Sequence, residues 1–212
     1  MQSDSSRAKM RTYREKRYSK LDQRIVHGIE ARIINRHLDR VVKPGDAVLD
    51  MPVGYGRFLG DLLGRSDNVV GSDHQMAMLE LSRESHGAEL PVVLNDCGAL
   101  PFADASFDLV TCIRLFQHLH DPDLRRRTLT EIGRVTRRHA IVTTYLQSAF
   151  HRWLHDRRKK LKRLTYHTEA SLAEDLAAAG LRVVSARHSI PGLHAQYILL
   201  LEKTDATATN GA

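Results

Sequence analysis

Short apolar runs alternate with amphipathic stretches along most of this chain. Segments with helical spacing of apolar residues are found at 57–63, 76–85, 124–136 and 168–179. The apolar runs have the length and β-branched content of buried strands, and they lie at residues 47–51, 68–73, 91–96, 107–113, 140–146, 181–186 and 195–203. The alternation predicts an α/β fold, a Rossmann-like, doubly wound sheet of seven mostly parallel strands with helices on both faces.

The two ends of the chain depart from this alternation. Residues 1–43 begin with a polar, basic stretch and are predicted to form an N-terminal helical cap. The apolar positions of its second half follow helical spacing and are Leu21, Ile25, Ile29, Ile33 or Ile34, and Leu38. Near the other end, the short link through Pro191-Gly192 predicts that the last two strands form an antiparallel hairpin at one edge of the sheet. The main domain is expected over residues 44–203, and residues 204–212, which lack large apolar side chains, are expected to be disordered.

Length and composition limit the class of protein. Of the 212 residues, 42% are hydrophobic, which suffices for one substantial core. No apolar run approaches the roughly 18 to 20 residues of a membrane-spanning helix, and the N-terminus has no secretory pattern, so a cytoplasmic protein is expected. Cys97 and Cys112 have no paired spacing, so neither a disulfide framework nor a metal site is predicted.

The net charge of +7 is concentrated in particular segments. Residues 1–43 hold 12 Lys and Arg against 5 Asp and Glu, and residues 151–163 hold seven Lys and Arg against one Asp. Such blocks attract phosphates, nucleic acid or anionic lipid heads, which leaves peripheral membrane contact open. A solvated helix face is the commoner explanation of each block taken alone.

Acids and glycines follow the first predicted strands. Asp50 ends the first strand and is followed by Gly54 and Gly56, where the backbone can approach a ligand closely. Asp73 ends the second strand, in the position from which a carboxylate binds the ribose hydroxyls of an adenosine. Asp96 ends the third. The carboxyl ends of these strands therefore predict a crevice for a nucleotide-like cofactor.

Several segments, taken in order, together resemble the class I S-adenosylmethionine-dependent methyltransferases. They are DMPVGYG (50–56), GSD (71–73), NDCGALPF (95–102), SFDLV (106–110), HL (118–119) and EIGRV (131–135). The nearest type is the small-molecule group, type 11-like, that carries the ALPF and FD signatures. The resemblance implies S-adenosylmethionine as the cofactor, methyl transfer as the reaction and a seven-stranded sheet whose last hairpin is reversed.

The resemblance also implies roles for individual residues. The turn with Asp50, Pro52, Gly54 and Gly56 would lie against the methionine part, and residues 112–115 would flank the reactive sulfonium. Arg114 would pair with the methionine carboxylate or with a substrate anion, the alternative being an ordinary surface salt bridge. The residues expected at the ribose and adenine are Asp73, His74, Asp96 and Cys97.

Two segments depart from the family pattern. Pro52 stands where the family usually has glycine, and it removes one backbone donor and fixes φ near −65°. If the missing N–H faced the ligand, about 0.5–1.5 kcal/mol of binding would be lost; otherwise the turn is only stiffened. After the Arg134-Val135 pair, residues 136–139 replace a Pro-Gly-Gly turn, which leaves the loop geometry there open.

Candidate catalytic residues lie near the fourth and fifth strands. His118 is the best-placed base for O-methylation of a hydroxyl, the alternative being a packed histidine that bonds a backbone carbonyl. Tyr145 is the second candidate, and His151 and Tyr166 are further ones.

The acceptor is expected to be small or lipid-linked and anionic, because the basic, amphipathic segment 151–163 follows the fifth strand. Its proposed binding residues are His151, Arg157, Arg158 and Lys159. Nucleic acid is less favoured, since no RNA-binding module is recognisable. The alternatives are a non-catalytic or RNA-directed protein of the same fold and, with Gly60 one residue too late for a dinucleotide fingerprint, an NAD(P)-dependent oxidoreductase.

Overall fold

The computed structural model describes residues 21–146, 165–190 and 195–204. Its α-helices are α1 (Leu21–Val41), α2 (Leu59–Leu63), α3 (Met76–His86), α4 (Pro122–Val135) and α5 (Glu169–Ala178), and a 3₁₀ turn spans Phe116–His118. Its strands are β1 (Val48–Asp50), β2 (Val69–Asp73), β3 (Val92–Leu94), β4 (Phe107–Cys112), β5 (Thr136–Tyr145), β6 (Leu181–His188) and β7 (Gln196–Lys203).

The described strands form one sheet in the order β3-β2-β1-β4-β5-β7-β6. The first five strands are parallel, and β7 runs antiparallel to both of its neighbours. The predicted fold class is therefore confirmed, including the hairpin of the last two strands. Because β1 lies between β2 and β4, the direction of winding reverses beside β1, and a crevice opens there at the carboxyl ends of the strands.

Helices cover both faces of the sheet. Successive residues of a strand point to opposite faces and therefore pack against different helices. Val48 belongs to a cluster of buried residues with Ile34 and Leu38 of α1, whereas the adjacent Leu49 belongs to a second cluster with Ile132 of α4. The first cluster also contains residues of α2 and α3, and the second contains residues of α5. The helix α1 is thus part of the packing around the sheet.

The helix α4 and strand β5 follow each other directly. Asp121 caps α4 by accepting the backbone N–H of Asp123 at 3.0 Å, and Pro122 occupies the first turn, as the Asp-Pro signal predicts. β5 begins at Thr136, earlier than predicted, and its first residues are polar. Arg137 and Arg138 in this segment both donate to Asp108 at the start of β4, which holds the early strand in place.

The pattern of α1 differs from the prediction in its buried face. Ile25 is 54% exposed, and the buried line along the helix runs instead through Glu30, Ile34 and Leu38. Among the described residues, no helix combines the length and apolarity that crossing a bilayer requires. Predictions that fall on residues 1–20, 147–164, 191–194 and 205–212 lie outside the described part of the chain.

Candidate functional site

A two-lobed cavity lies at the carboxyl ends of β1, β2 and β4. The first lobe has a volume of about 610 Å³ and the second about 710 Å³. Residues that line both lobes are Pro52, Asp73, His74, Leu115 and His118. The first lobe is also lined by Asp50, Val53, Gly54, Tyr55, Arg57, Phe58, Gln75, Met78, Ile113 and Arg114. The second is also lined by Met51, Ser72, Leu94, Asn95, Asp96, Cys97, Leu119 and Leu124.

The turn after β1 is tied to both neighbouring strands. The Met51 N–H donates to the carbonyl of Thr111 at 2.9 Å, and the Val53 N–H donates to that of Ser72 at 2.7 Å. Pro52 stands between them, in a cis peptide bond with Met51. Gly54 then takes φ of 56°, a conformation that favours glycine. This geometry brings the backbone of the turn to the wall of the first lobe.

Asp73 fixes the turn from the adjacent strand. Its Oδ2 accepts the Gly54 N–H at 3.0 Å, and its Oδ1 accepts the Gln75 N–H at 3.0 Å. The side chain is almost fully buried, and the ring of His74 lies 3.3 Å from Oδ1. Since each carboxylate oxygen has two lone pairs, Asp73 can accept further hydrogen bonds from a ligand in the cavity.

Asp50 is a buried carboxyl on the wall of the first lobe. Burial raises its pKa to about 7, and this effect outweighs the opposing hydrogen bond from the Thr111 hydroxyl, which Oδ1 accepts at 2.6 Å. The negative charge of Asp73 raises the pKa further, and Arg57 lowers it. The site therefore holds a carboxyl group that titrates near neutral pH.

The second lobe is bordered by the segment that follows β3. Asp96 Oδ1 accepts the Gly98 N–H at 2.8 Å, which folds the segment into a tight turn. Leu94 is 51% exposed. The half-buried Cys97 has a raised pKa, because burial outweighs the hydrogen bond from the Thr128 hydroxyl, so the thiol stays protonated at neutral pH.

Two arginines on the wall of the first lobe converge on one acid. Arg114 donates from Nε and Nη2 to Glu30 at 3.0 and 2.8 Å, and Arg57 donates from Nη2 to the same carboxylate. Gln196 at the start of β7 donates to it as well. Burial alone would raise the pKa of Glu30, but the two guanidinium groups outweigh that effect and hold it below its ordinary value.

The two catalytic candidates differ in position. His118 lies in the 3₁₀ turn with an exposed side chain that lines both lobes, so it is not packed in the core. Tyr145 ends β5 and is not among the residues that line either lobe. Its ring lies 5.9 Å from that of Tyr166, where the chain returns to the end of β5.

Most of the predicted cofactor residues meet in the cavity. Those that line it are Asp50, Pro52, Gly54, Asp73, His74, Asp96, Cys97 and Arg114. Gly56 does not, and a Cβ built there would lie 2.8 Å from the ring of His86, so this glycine serves the packing behind the turn. Cys112, at the start of the segment expected near the sulfonium, is buried and does not line the cavity either. The predicted acceptor residues His151, Arg157, Arg158 and Lys159 lie outside the described residues.

Sequence reasoning missed Glu30 and Thr111. Glu30 carries one local signal, because it is four and eight residues before Ile34 and Leu38 and therefore in phase with the buried line of α1. Thr111 carries none, since a threonine in the middle of a strand is an ordinary residue there.

Comparison with known proteins identifies the central part of the chain. Residues 48–139 match the family model described as "Methyltransferase domain". The demethylmenaquinone methyltransferase of Thermobifida fusca is 35% identical over 97 residues, which are 44% of this chain and 40% of that protein. A ubiquinone/menaquinone biosynthesis C-methyltransferase of Stenotrophomonas maltophilia is 35% identical over 102 residues, with the same two shares. The matched part thus spans about 40% of the length of these relatives.

Solved structures share the fold over most of the chain. The magnesium protoporphyrin IX methyltransferase of Synechocystis PCC 6803 with bound SAH has a TM-score of 0.71 and 16% identity, over 87% of this chain and 88% of that one. A SAM-dependent methyltransferase of Methanosarcina mazei has a TM-score of 0.67 and 18% identity, over 79% of this chain and 96% of that one. Residues 48–139 thus match a methyltransferase domain, and the fold of the chain is the one found in solved structures of S-adenosylmethionine-dependent methyltransferases.

Proposed function

We propose that this chain transfers the methyl group of S-adenosylmethionine to a small acceptor. We base this above all on two buried carboxyl groups, Asp50 and Asp73, which end adjacent parallel strands and line one two-lobed cavity. The cavity lies where the winding of the sheet reverses, the usual ligand position in open α/β sheets. Each lobe also has the volume of a small-molecule site.

The residues of the cavity fit the cofactor. A Cβ built on Gly54 would meet no described heavy atom within 4 Å, so the backbone is open to close approach by the methionine part. Asp73 has acceptor capacity left for the ribose hydroxyls beyond the two backbone N–H groups that it binds. The exposed apolar side chain of Leu94 suits one face of the adenine ring.

The bound cofactor supplies an electrophilic methyl group, so the protein has to align the acceptor, exclude water and remove a proton. We assign the proton transfer to His118. Its imidazole lines both lobes at their junction and is exposed to the cavity, so it can reach a proton on an acceptor that enters there. Tyr145 is the second candidate and would act on an acceptor that extends toward the end of β5.

For the acceptor we favour an aromatic ring of the quinone-precursor class. The relatives named above act on such rings according to their names, and one is named a C-methyltransferase. The pair Tyr145 and Tyr166 at the end of β5 offers aromatic surface for a ring. The family match ends at residue 139, before this pair, so it gives no information about which acceptor binds here.

An aromatic ring of the quinone-precursor class can accept the methyl group on a hydroxyl oxygen or on a ring carbon. The sequence favoured a hydroxyl acceptor, whereas the named C-methyltransferase supports attack by a ring carbon. Both reactions release one proton, so the role of His118 is the same. An anionic or lipid-linked acceptor stays a prediction that rests on the basic block at residues 151–163.

Cofactor binding is tested by thermal unfolding with S-adenosylhomocysteine, the product of the donor. At 100 times its dissociation constant the ligand should add about 2.7 kcal/mol of stability. Asp73→Asn should remove most of that gain, because charge-assisted hydrogen bonds contribute about 1.5–3 kcal/mol each. The matched control is Asp108→Asn, which alters an aspartate at the other end of β4 that accepts the backbone N–H of Ala47. A protein that is not stabilised by millimolar ligand contradicts the proposal, and stabilisation by NAD(P) instead favours the oxidoreductase.

The acceptor class is tested with the donor carrying a labelled methyl group. A demethylated naphthoquinol, a catechol and a structured RNA are offered separately, and the methylated atom is identified by NMR. We expect transfer to the naphthoquinol, with kcat reduced in His118→Gln. Transfer to RNA alone would favour the RNA-directed alternative, and cofactor binding without any transfer would favour a non-catalytic protein.

A further inference from the structure

Glu30 connects the N-terminal helix to the wall of the first lobe. Its side chain is fully buried, yet it lies 27 residues before Arg57, 84 before Arg114 and 166 before Gln196, all of which donate to it. A buried carboxylate is costly unless strong donors compensate it, and here two guanidinium groups and an amide do so. The arrangement therefore fixes three donors from three separate elements around one acid.

Arg114 is held at both of its ends. Its backbone has φ of 61°, which is uncommon for a residue other than glycine, and its N–H donates to the Thr143 hydroxyl at 2.7 Å. Its guanidinium presents Nε and Nη2 side by side to Glu30. Unusual backbone conformations that the surroundings hold in place are concentrated at functional sites.

Arg57 is fixed in a similar way. Besides its contact with Glu30, its Nη2 lies 2.6 Å from Nδ1 of His27, and its guanidinium lies 4.6 Å from the centre of the Phe58 ring. Arg57 and Arg114 both line the first lobe. A guanidinium has five N–H donors, so one that pairs with Glu30 can also bind a second carboxylate.

We propose that Glu30 is a positioning residue, which orients Arg57 and Arg114 so that together they receive the carboxylate of the cofactor's methionine part. The inference rests on the proposed function, because it takes the first lobe as the methionine site. It adds that the N-terminal helix determines which ligands the lobe accepts: ligands that carry a carboxylate are favoured over those that lack one.

The test compares two ligands in wild type and in Glu30→Gln. S-Adenosylhomocysteine carries the amino-acid carboxylate, and 5′-methylthioadenosine lacks both it and the amino group. Calorimetry should give a dissociation constant for S-adenosylhomocysteine that rises about 10-fold or more in the variant, with less than a twofold change for methylthioadenosine. Equal losses for both ligands, or no loss for either, would overturn the positioning role.

Asp108→Asn is the matched control. Asp108 also accepts from two arginines, Arg137 and Arg138, but it lies at the opposite end of the sheet from the cavity. This variant should lose stability without changing the ratio of the two affinities. A change of the ratio in the control as large as in Glu30→Gln would mean that the ratio follows stability and would overturn the proposal.

Arg114→Met keeps the test decisive if Glu30→Gln does not fold. The side chain of Arg114 is 19% exposed, and the Arg57 pair with Glu30 remains in this variant. The ratio should again fall, and an unchanged ratio would refute the inference. If wild type binds neither ligand, the proposed function fails; if it binds both and the ratio does not respond to the variants, only the positioning role fails.

Discussion

Replacing Asp50 with asparagine should make the ligand-free protein more stable near pH 8 and weaken its binding of the cofactor. Asp50 is 3% exposed, and burial raises its pKa to about 7 in spite of the hydrogen bond from Thr111. Above that pH the folded protein has to keep a charge in a site that disfavours it. Asparagine has nearly the same shape and can still accept the Thr111 hydroxyl through its Oδ1.

The magnitude follows from the two pKa values of Asp50. An unfolded aspartate titrates near 3.8, so below that pH both states are protonated and the group has no effect. Between 3.8 and 7 the unfolded state loses its proton first, and the free energy of unfolding falls as pH rises. Above pH 7 the whole penalty is present, at most about 4 kcal/mol for three units of pKa. Because the buried amide of asparagine has its own desolvation cost, we expect a gain of about 2–4 kcal/mol at pH 8.

Urea unfolding of wild type and Asp50→Asn at pH 5 and pH 8 measures this gain. The advantage of the variant should grow by about 2.5 kcal/mol between the two pH values, because most of the penalty develops above pH 5. The wild-type curve alone would mislead, since burial lowers the pKa of His167 to about 4 and so gives an opposite slope over much of the same range. The difference between the two proteins cancels that slope. An advantage that is equal at both pH values, or a less stable variant at pH 8, would refute the assignment.

Two further predictions concern the folded scaffold. Gly133→Ala should lower the free energy of unfolding in urea by at least about 2 kcal/mol, because its Cβ would lie 2.0 Å from the Ala179 carbonyl oxygen. Gly28→Ala in α1, whose Cβ would meet no described atom within 4 Å, should raise that free energy by about 0.5–1 kcal/mol. Similar effects of the two substitutions would contradict the packing of α4 on α5. Relative to wild type, His167→Leu should gain up to about 3 kcal/mol of stability as pH falls from 6.5 to 4, because the unfolded wild type takes up a proton that buried His167 does not. A stability difference between the two proteins that stays constant over this range would show that another group titrates there.

The sheet could be predicted because local patterns carry it. The strands β1, β2 and β4 are buried along most of their length and read as short apolar runs, and the remaining runs correspond to β3, β5 and the hairpin of the structure. The start of β5 could not be predicted, since Thr136, Arg137 and Arg138 are polar. They extend the strand because Asp108, about thirty positions earlier in the chain, binds both arginines.

The residues of the candidate site also include some that local sequence patterns predict and some that they do not. The sequence predicted that Asp50 and Asp73 lie near each other in the candidate site, because each ends a strand and parallel strands bring their carboxyl ends to one edge of the sheet. Glu30 was missed because its partners are 27 to 166 residues away, and no local pattern reports such contacts. Gly56 was assigned to the ligand because it follows the first strand together with Gly54, whereas a Cβ built on Gly56 would lie 2.8 Å from the ring of His86, a contact that no local pattern reports.

The role of the missing N–H at Pro52 was left open by the sequence and is explained by the structure. From the sequence, its lack of an N–H could have removed a donor from the ligand or from the turn. In the structure the N–H groups on either side, of Met51 and Val53, bind the carbonyls of the flanking strands, and the next one, of Gly54, binds Asp73. The turn is thus anchored at three neighbouring positions without a donor at Pro52. Pro52 lines both lobes of the cavity, and because it has no N–H it leaves no unsatisfied backbone donor there.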